Sequence, residues 1–420
     1  MDNPARLAIL RGMKRDCDIL IAGGGLNGPA LALALAQGGF SVAVVDARPA
    51  GVRAETGFDG RAYALALGSQ RLLSAIGVWA LVGAEAQPIL GIRTCDGQPG
   101  SGPAPFVLAF DHAEIEEGPM GYMLEDRFLY AGFLDAMRAE PRIELIAGDS
   151  VTGQETGPGG VTVTLASGRH LGAAVLVGCD GRQSGVAERA GIKRNGWDYG
   201  QIALVNAVEH ERPHDGVAHQ FFLPGGPFAI LPLPGNRSSI VWSEQADTAR
   251  AISALPDDEY LALLRVRFGD FLGKIALTGT RFTYPLSLSL AERFTAPRVV
   301  LVGDAAHGVH PIAGQGLNLG LRDVGALAEV LVLARRRGED VGAGDVLERY
   351  QQWRRFDATA LALGMDAVNR LFSNDNPVLR LGRSLGLGAV NAMPGLRRHF
   401  IREAAGLSGD LPRLLSGRPI

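Results

Sequence analysis

One stretch near the start of the chain, Gly23-Gly24-Gly25-Leu26-Asn27-Gly28, restricts the fold more than any other. It follows the apolar run Cys17-Asp18-Ile19-Leu20-Ile21-Ala22, which reads as a buried strand. An Ala/Leu-rich helix over 26–38 comes next, closed by Gly38-Gly39, and then a β-branched strand, Phe40-Ser41-Val42-Ala43-Val44-Val45-Asp46. Strand, glycine turn, helix and strand make one βαβ unit with a parallel sheet. In that setting the G-x-G-x-x-G spacing has a physical meaning. Gly23 permits the tight turn, Gly25 lets the backbone approach a pyrophosphate, and Gly28 lets helix and strand pack closely. The helix N-terminus offers free N–H groups and a positive dipole end to phosphate. Asp46, 23 positions after Gly23, can accept from ribose hydroxyls. The alternative is a tight turn with no ligand, and the flanking strand, helix and acid weigh against it. A flavin or a nicotinamide nucleotide would satisfy these residues equally well.

Composition narrows the class. Glycine supplies 57 of 420 residues, about twice the usual ~7%. Its spacing is not periodic, so the excess reads as tight turns and close backbone approaches. With 41 basic and 44 acidic residues the net charge is −3, and no bulk electrostatic attraction to nucleic acid is expected. The cysteines, Cys17, Cys95 and Cys179, are few, odd in number and far apart, which fits a reduced, cytoplasmic compartment and not a disulfide framework or a zinc site. His307 and His310 have no third ligand beside them, so no metal is expected; both read as loop residues satisfying backbone groups. The first residues lack the apolar core of a signal peptide, and glycines break the apolar stretch 19–36, so no membrane span is expected.

Further along, 60–79 reads as a helix and 125–138 as another. The alternating segments between 141 and 178 read as a meander ending in a buried strand, and 200–245 as antiparallel strands with Pro/Gly turns. Arg298-Val299-Val300-Leu301-Val302-Gly303 returns to a buried strand; helices follow over 317–337 and 345–372. Tyr350, Trp353 and Arg354 read as packing residues, and the arginines at 380, 383, 397, 398 and 402 as a solvated face.

The second diagnostic region begins where that strand ends. Gly303-Asp304 places a carboxylate at a strand end, where it can bind a polyol. Ala313-Gly314-Gln315-Gly316-Leu317-Asn318 opens a helix whose free N–H groups can face the edge of a flavin that becomes negative on reduction. This stretch resembles the flavin motif of class A flavoprotein monooxygenases. His310-Pro311-Ile312-Ala313-Gly314-Gln315-Gly316 through Val324 is similar to one branch, the ubiquinone-biosynthesis hydroxylases. Gly178-Cys179-Asp180-Gly181-Arg182-Gln183-Ser184, Phe58-Asp59-Gly60-Arg61, Glu125-Asp126-Arg127 and Arg402-Glu403-Ala404-Ala405-Gly406-Leu407 also resemble that branch.

The resemblance, which runs from about residue 16 to the end, implies a p-hydroxybenzoate-hydroxylase-like α/β fold. It would have a discontinuous Rossmann-type FAD-binding domain (14–80, 110–190 and 290–372), a substrate domain with a mixed antiparallel sheet (81–109 and 191–289), and a C-terminal helical tail (373–420). It implies FAD as cofactor, NAD(P)H or a ferredoxin-type donor as reductant, O2 as co-substrate, and hydroxylation of a polyprenylated phenol through oxygen activated at flavin C4a. Peripheral contact with the inner face of the cytoplasmic membrane, or with a delivering complex, goes with such a substrate. Carried over by position, Gly23, Gly25, Gly28 and Asp46 hold the ADP half, and Arg127 reaches the phosphate or ribityl region. Asp304 holds the ribityl chain, Pro311, Gly314, Gln315 and Gly316 lie near the ring, and Asp180 and Gly181 line the cofactor side. No catalytic base is assigned.

Two departures from the branch pattern stand out. Ala187 occupies the place of an arginine, with Arg189 two positions on, and Asp126 stands where asparagine is usual. A hydroxylase of a small soluble phenol, or a non-catalytic prenyl-binding protein on the same scaffold, are the alternatives.

Overall fold

The computed structural model describes residues 15–50, 57–97, 103–309, 314–373 and 377–420. Ile19–Ala22 lies inside a six-stranded sheet, between Val175–Gly178 and Val42–Asp46. Outward from these lie Val299–Leu301 with Thr295–Ala296 on one side and Ile143–Ala147 on the other. All neighbours pair in parallel except Thr295–Ala296. Every residue of Ile19–Ala22 and Val42–Asp46 is buried. Helices cover both faces of such a sheet, which is why these strands are continuous apolar runs and do not alternate. Helices Asn27–Gln37 and Gln315–Arg336 pack on each other beside it.

The second large element is an eight-stranded mixed sheet. Its order is His307–Gly308, Ile275–Ala291, Arg194–His210, Arg237–Gln245, Gly226–Leu233, Val217–Leu223, Gly91–Gly97 and Pro103–Asp111. Side chains alternate across it, as the pleat demands. Leu204, Phe228, Ile230, Ile240 and Trp242 enter a core under helices Ala246–Ser253 and Asp257–Phe268. The intervening residues, among them Ala203, Ala229 and Val241, form the opposite face.

Three expectations need correction. The segment 60–79 is not one helix: Ala62–Ala66 is a strand paired with Gly121–Glu125, and only then does helix Leu67–Ala75 begin. The run Ala62-Tyr63-Ala64-Leu65-Ala66 carries no marker of its state, and the ladder decides it. Ile143–Ala147 is not part of the meander; it is the parallel edge strand beside Val42–Asp46, while Val151–Gly157, Gly160–Leu165 and His170–Ala173 form the meander. The C-terminal arginines are not simply a solvated face. Arg383 is buried and meets Asp96 at 2.9 Å, Arg397 meets Glu114 at 2.8 Å, and Arg402 meets Glu117 at 2.5 Å. These pairs hold helices Pro377–Ala392 and Pro394–Ala404 against the end of the eight-stranded sheet and the loop after it.

Candidate active site

The glycines of the first turn are there for different reasons. Gly23 has φ +112°, and a Cβ on it would sit 2.3 Å from the Cys179 carbonyl oxygen. A Cβ on Gly28 would sit 2.0 Å from the Gly23 carbonyl oxygen. Both are demanded by packing of the protein on itself. A Cβ on Gly25 would meet no protein atom within 4 Å, so nothing within the fold requires glycine there. Asp46, nearly buried at the end of its strand, accepts from the Arg48 N–H at 2.9 Å.

The second turn is built around Gly303 (φ +63°) and Gly314 (φ +65°). Gly314 caps the start of the 22-residue helix Gln315–Arg336 in the left-handed region, where glycine carries little steric cost. Asn318 secures that helix start. Its Nδ2 donates to the Ala64 and Gly314 carbonyls at 2.8 and 3.1 Å, and its Oδ1 accepts from the Ala66 N–H and the Ser69 hydroxyl, both at 2.8 Å. Behind the turn, the buried carboxylate of Asp323 takes the Gly303 N–H at 3.0 Å, His307 Nε2 at 2.5 Å and Arg354 Nε at 2.8 Å. His307 therefore does not serve a backbone group as its loop position suggested, and Arg354 is a buried charge and not mere packing. His310 and Pro311 lie outside the described residues.

Between the two turns runs one cavity of about 980 Å³. Gly23, Gly25 and Asp46 of the first turn line it, with Asp180, Gly181 and Asp304, and so do Gly314 and Gly316 of the second. The far wall is the open face of the eight-stranded sheet, with Ala203, Val205, Ala229, Leu231 and Val241. Pockets of roughly 300–1,000 Å³ with mostly apolar walls hold cofactor-sized molecules.

Eight of the residues expected at the site share this cavity, and three do not. Gly28 is a packing position. Arg127 lies elsewhere: its Nε donates to Glu125 at 2.7 Å and its guanidinium stacks on Phe128 at 4.3 Å. Glu125 sits at the strand–helix junction and is buried, so the nearest cation is drawn to it, and Arg237 pairs with its other oxygen at 2.8 Å. Gln315 lines a separate small pocket with Ser69 and Arg322.

Four arginines missing from the expected set, Arg48, Arg61, Arg182 and Arg189, reach the cavity instead. They come from separate elements and share no spacing; the signals available were local, Arg48 beside Asp46, Arg182 directly after Asp180-Gly181, and Arg61 at the end of Phe58-Asp59-Gly60. Arg182 links three parts of the wall, donating to the Val309 carbonyl at 2.8 Å, the Ser287 carbonyl at 3.2 Å and Asp304 at 3.4 Å. The Asp180 carboxylate accepts from the Ser184 hydroxyl at 2.5 Å and the Val186 N–H at 3.0 Å, which fixes the start of the short helix Gly185–Arg189. Ala187 is buried in that helix, with no room for an arginine, while Arg189 is exposed on the cavity side and bonds Gln154 at 3.3 Å. Asp126 begins its helix buried, accepting from the Tyr63 hydroxyl at 3.0 Å.

The two turns and the cavity between them fit an extended dinucleotide. Gly25 and Gly316 each leave open space where a side chain would otherwise be, and one cavity connects them. A dinucleotide fold joined by such a cavity to an antiparallel sheet with an apolar open face defines a flavoprotein of the aromatic-hydroxylase class. The comparisons agree. The FAD binding domain family matches residues 16–362. The ubiquinone hydroxylase UbiL of Rhodospirillum rubrum is 48% identical over 96% of this chain and 93% of its own length. The 3-demethoxyubiquinol 3-hydroxylase of Escherichia coli is 36% identical over 93% and 98%. The crystal structure of p-nitrophenol 4-monooxygenase PnpA from Pseudomonas putida superposes with a TM-score of 0.78 at 20% identity, over 94% of this chain and 99% of that one, a likeness of fold. The chain belongs to this FAD-binding family and, within it, to the ubiquinone hydroxylases. It is an FAD-dependent monooxygenase, and the choice between flavin and nicotinamide left by the first turn is resolved for FAD. Among the described residues no single helix is long and apolar enough to cross a membrane.

Proposed function

We propose that this enzyme hydroxylates the ring of a polyprenylated phenol in ubiquinone biosynthesis, with FAD lying extended between the two glycine turns. The observation that carries the reading is the continuity of one cavity from Gly25 to the apolar sheet face. In this reading Gly23, Gly25 and Asp46 receive the ADP half, with Arg48 close enough to neutralise phosphate charge. Asp304, held against Arg182, receives the ribityl hydroxyls. The helix beginning after Gly314 presents free N–H groups to the ring edge that gains negative charge, and Gly316 leaves room for a flat ring against backbone.

Bound FAD supplies the redox chemistry and the activation of O2. The protein positions the phenol and excludes water. Ala203, Val205, Ala229 and Val241 suit both tasks, since none can hydrogen-bond or ionise. Among the described residues, no carboxylate or histidine lies on that part of the wall to act as a base.

The polyprenyl tail supports a reading of peripheral membrane contact or of a delivering complex. Leu385, Met393, Leu396 and Phe400 are exposed on the last helices beside Arg398, a pairing that suits an anionic lipid surface. Flotation with anionic liposomes should carry the enzyme upward at low salt; failure to float at any salt would remove this part. The main reading is tested by NAD(P)H-dependent O2 uptake on purified holoenzyme, with a short-chain prenylphenol and with p-nitrophenol. Stimulation by the prenylated compound is expected. Equal or greater stimulation by the small phenol would favour a soluble substrate, and quinone profiling of a deletion strain would then show no accumulated prenylated precursor.

A further inference from the structure

The open face of the eight-stranded sheet can be read strand by strand from its register. Pro227, Ser243 and Ala203 lie in one row, since Phe228 pairs with Trp242 and Ala203 with Ser243. The next row runs Gln220, Ala229, Val241, Val205. All of these side chains line the cavity. Of these four only Gln220 can hydrogen-bond; Ala229 on one side cannot answer it, and Thr94, its partner on the other side, does not line the cavity.

The Gln220 side chain makes no hydrogen bond among the described residues. Its Nε2 is closed off even from the cavity, so the amide atom left open to a ligand is Oε1, an acceptor. The buried amides of this region bond within the protein: Gln201 donates to the Gly225 carbonyl at 2.8 Å, and Asn206 accepts from the Tyr260 hydroxyl at 2.9 Å. An amide oxygen only accepts, so a ring hydroxyl can answer it and an ether oxygen cannot. Within its row the wall beside Gln220 is alanine and valine, and Ser243 in the first row is the other hydrogen-bonding side chain, so a ring hydroxyl that lies on the second row meets Gln220.

We infer that Gln220 is a specificity-determining residue: its Oε1 accepts a hydrogen bond from a hydroxyl on the substrate ring and so selects a phenol over its ether or deoxy counterpart. This rests on the phenol-hydroxylase reading above. Discrimination follows because a site built to bond a hydroxyl is left with an unpaired amide by an analogue lacking it.

The experiment uses purified yellow holoenzyme and two probes, 2-geranylphenol and its methyl ether. Binding is read from the perturbation of flavin absorbance and fluorescence, without turnover. Wild type should bind the phenol roughly tenfold or more tightly than the ether. In Gln220→Leu that ratio should fall to about one, with FAD content unchanged, and Gln220→Asn, which keeps the amide on a shorter stem, should restore part of it. If Gln220→Leu holds FAD and keeps the wild-type ratio, the assignment of Gln220 is wrong and the phenol reading stands. If wild type binds neither probe while holding FAD, both fall together. Should Gln220→Leu fail to fold, the Gln220→Asn ratio decides: a ratio equal to wild type overturns the assignment, and a lowered one supports it.

Discussion

Arg354 donates through Nε to Asp323 at 2.8 Å, and both side chains are closed to solvent. The same carboxylate holds His307 and the N–H of Gly303. One buried group thus joins the long helix Gly344–Phe372, the helix that starts at Gly314, and the Gly303-Asp304 turn. Removing one member of a buried pair leaves an uncompensated charge and costs about 3–5 kcal/mol. Arg354→Met is expected to lose stability of that order in urea unfolding. The double variant Arg354→Met/Asp323→Asn should lose less than the sum of the two singles, because the sites are coupled.

The same carboxylate predicts a pH dependence. Burial alone would raise the Asp323 carboxyl, but the charges of His307 and Arg354 and their hydrogen bonds outweigh it and hold the group below its ordinary value. A group whose folded value is depressed stabilises the fold above its unfolded value of about 3.9, and that contribution is lost as pH falls through the folded value. The stability gap between wild type and Asp323→Asn should therefore be full at neutral pH and narrow as the pH is taken below about 4. Unfolding midpoints across that range measure it, and a constant gap would mean that the carboxylate charge is not what stabilises the junction.

Two glycines three positions apart should respond in opposite ways. Gly25→Val places its side chain where no protein atom lies within 4 Å, so the fold should survive while bound FAD is lost. Gly28→Ala drives a Cβ to 2.0 Å from the Gly23 carbonyl oxygen. Overpacking of that kind costs about 1–3 kcal/mol, and the loss should appear in the melting temperature before it appears in flavin content. The ratio of flavin to protein absorbance, set beside a thermal melt, separates the two. A Gly25→Val protein that keeps full FAD would remove this glycine from the cofactor site.

The contrast also shows what could be read from the sequence. The first βαβ unit was legible because its constraints are local: a continuous apolar strand, a glycine turn and an acid within one short segment. The turn at Gly314 was legible for the same reason. Arg127 was not, because its direction depends on the buried Glu125, and nothing in the local sequence says that Glu125 is buried or that Arg237 shares it. The strands around Gln220 and Ala229 are apolar enough to be expected at a pocket wall, but that Gln220 and not Phe221 faces the cavity depends on the register of several strands and not on the local sequence. The solvated reading of Arg383 failed likewise, since its partner Asp96 is 287 positions away.

Thiol chemistry offers a further check on the fold. Burial pushes the Cys17 thiol up to about 12 and that of Cys179 well above its ordinary value. Thiolate is the reactive form, so both should remain protonated and inert through pH 9 in the native protein. A disulfide reagent such as DTNB should label neither until guanidinium is added. Cys179 is half-buried and lines the cavity, so a reagent can reach it there, and its rapid native labelling would mean that the thiol ionises more readily than its surroundings dictate.

The wall of the cavity can be altered without touching either turn. Ala229 pairs with Gln220 and Val241 across the strands and faces the cavity. Leucine there would project into space that the substrate ring should occupy, while Phe228 and Ile230 on either side keep their places in the opposite core. Ala229→Leu should therefore retain FAD and its NAD(P)H-dependent reduction but lose the stimulation of O2 uptake by prenylphenol, by tenfold or more on the scale of ~1–3 kcal/mol for overpacking. Flavin reduction and O2 uptake measured on one preparation distinguish the cases. Loss of both would mean that the substitution reaches the cofactor, and retention of both would move the substrate ring away from this face of the sheet.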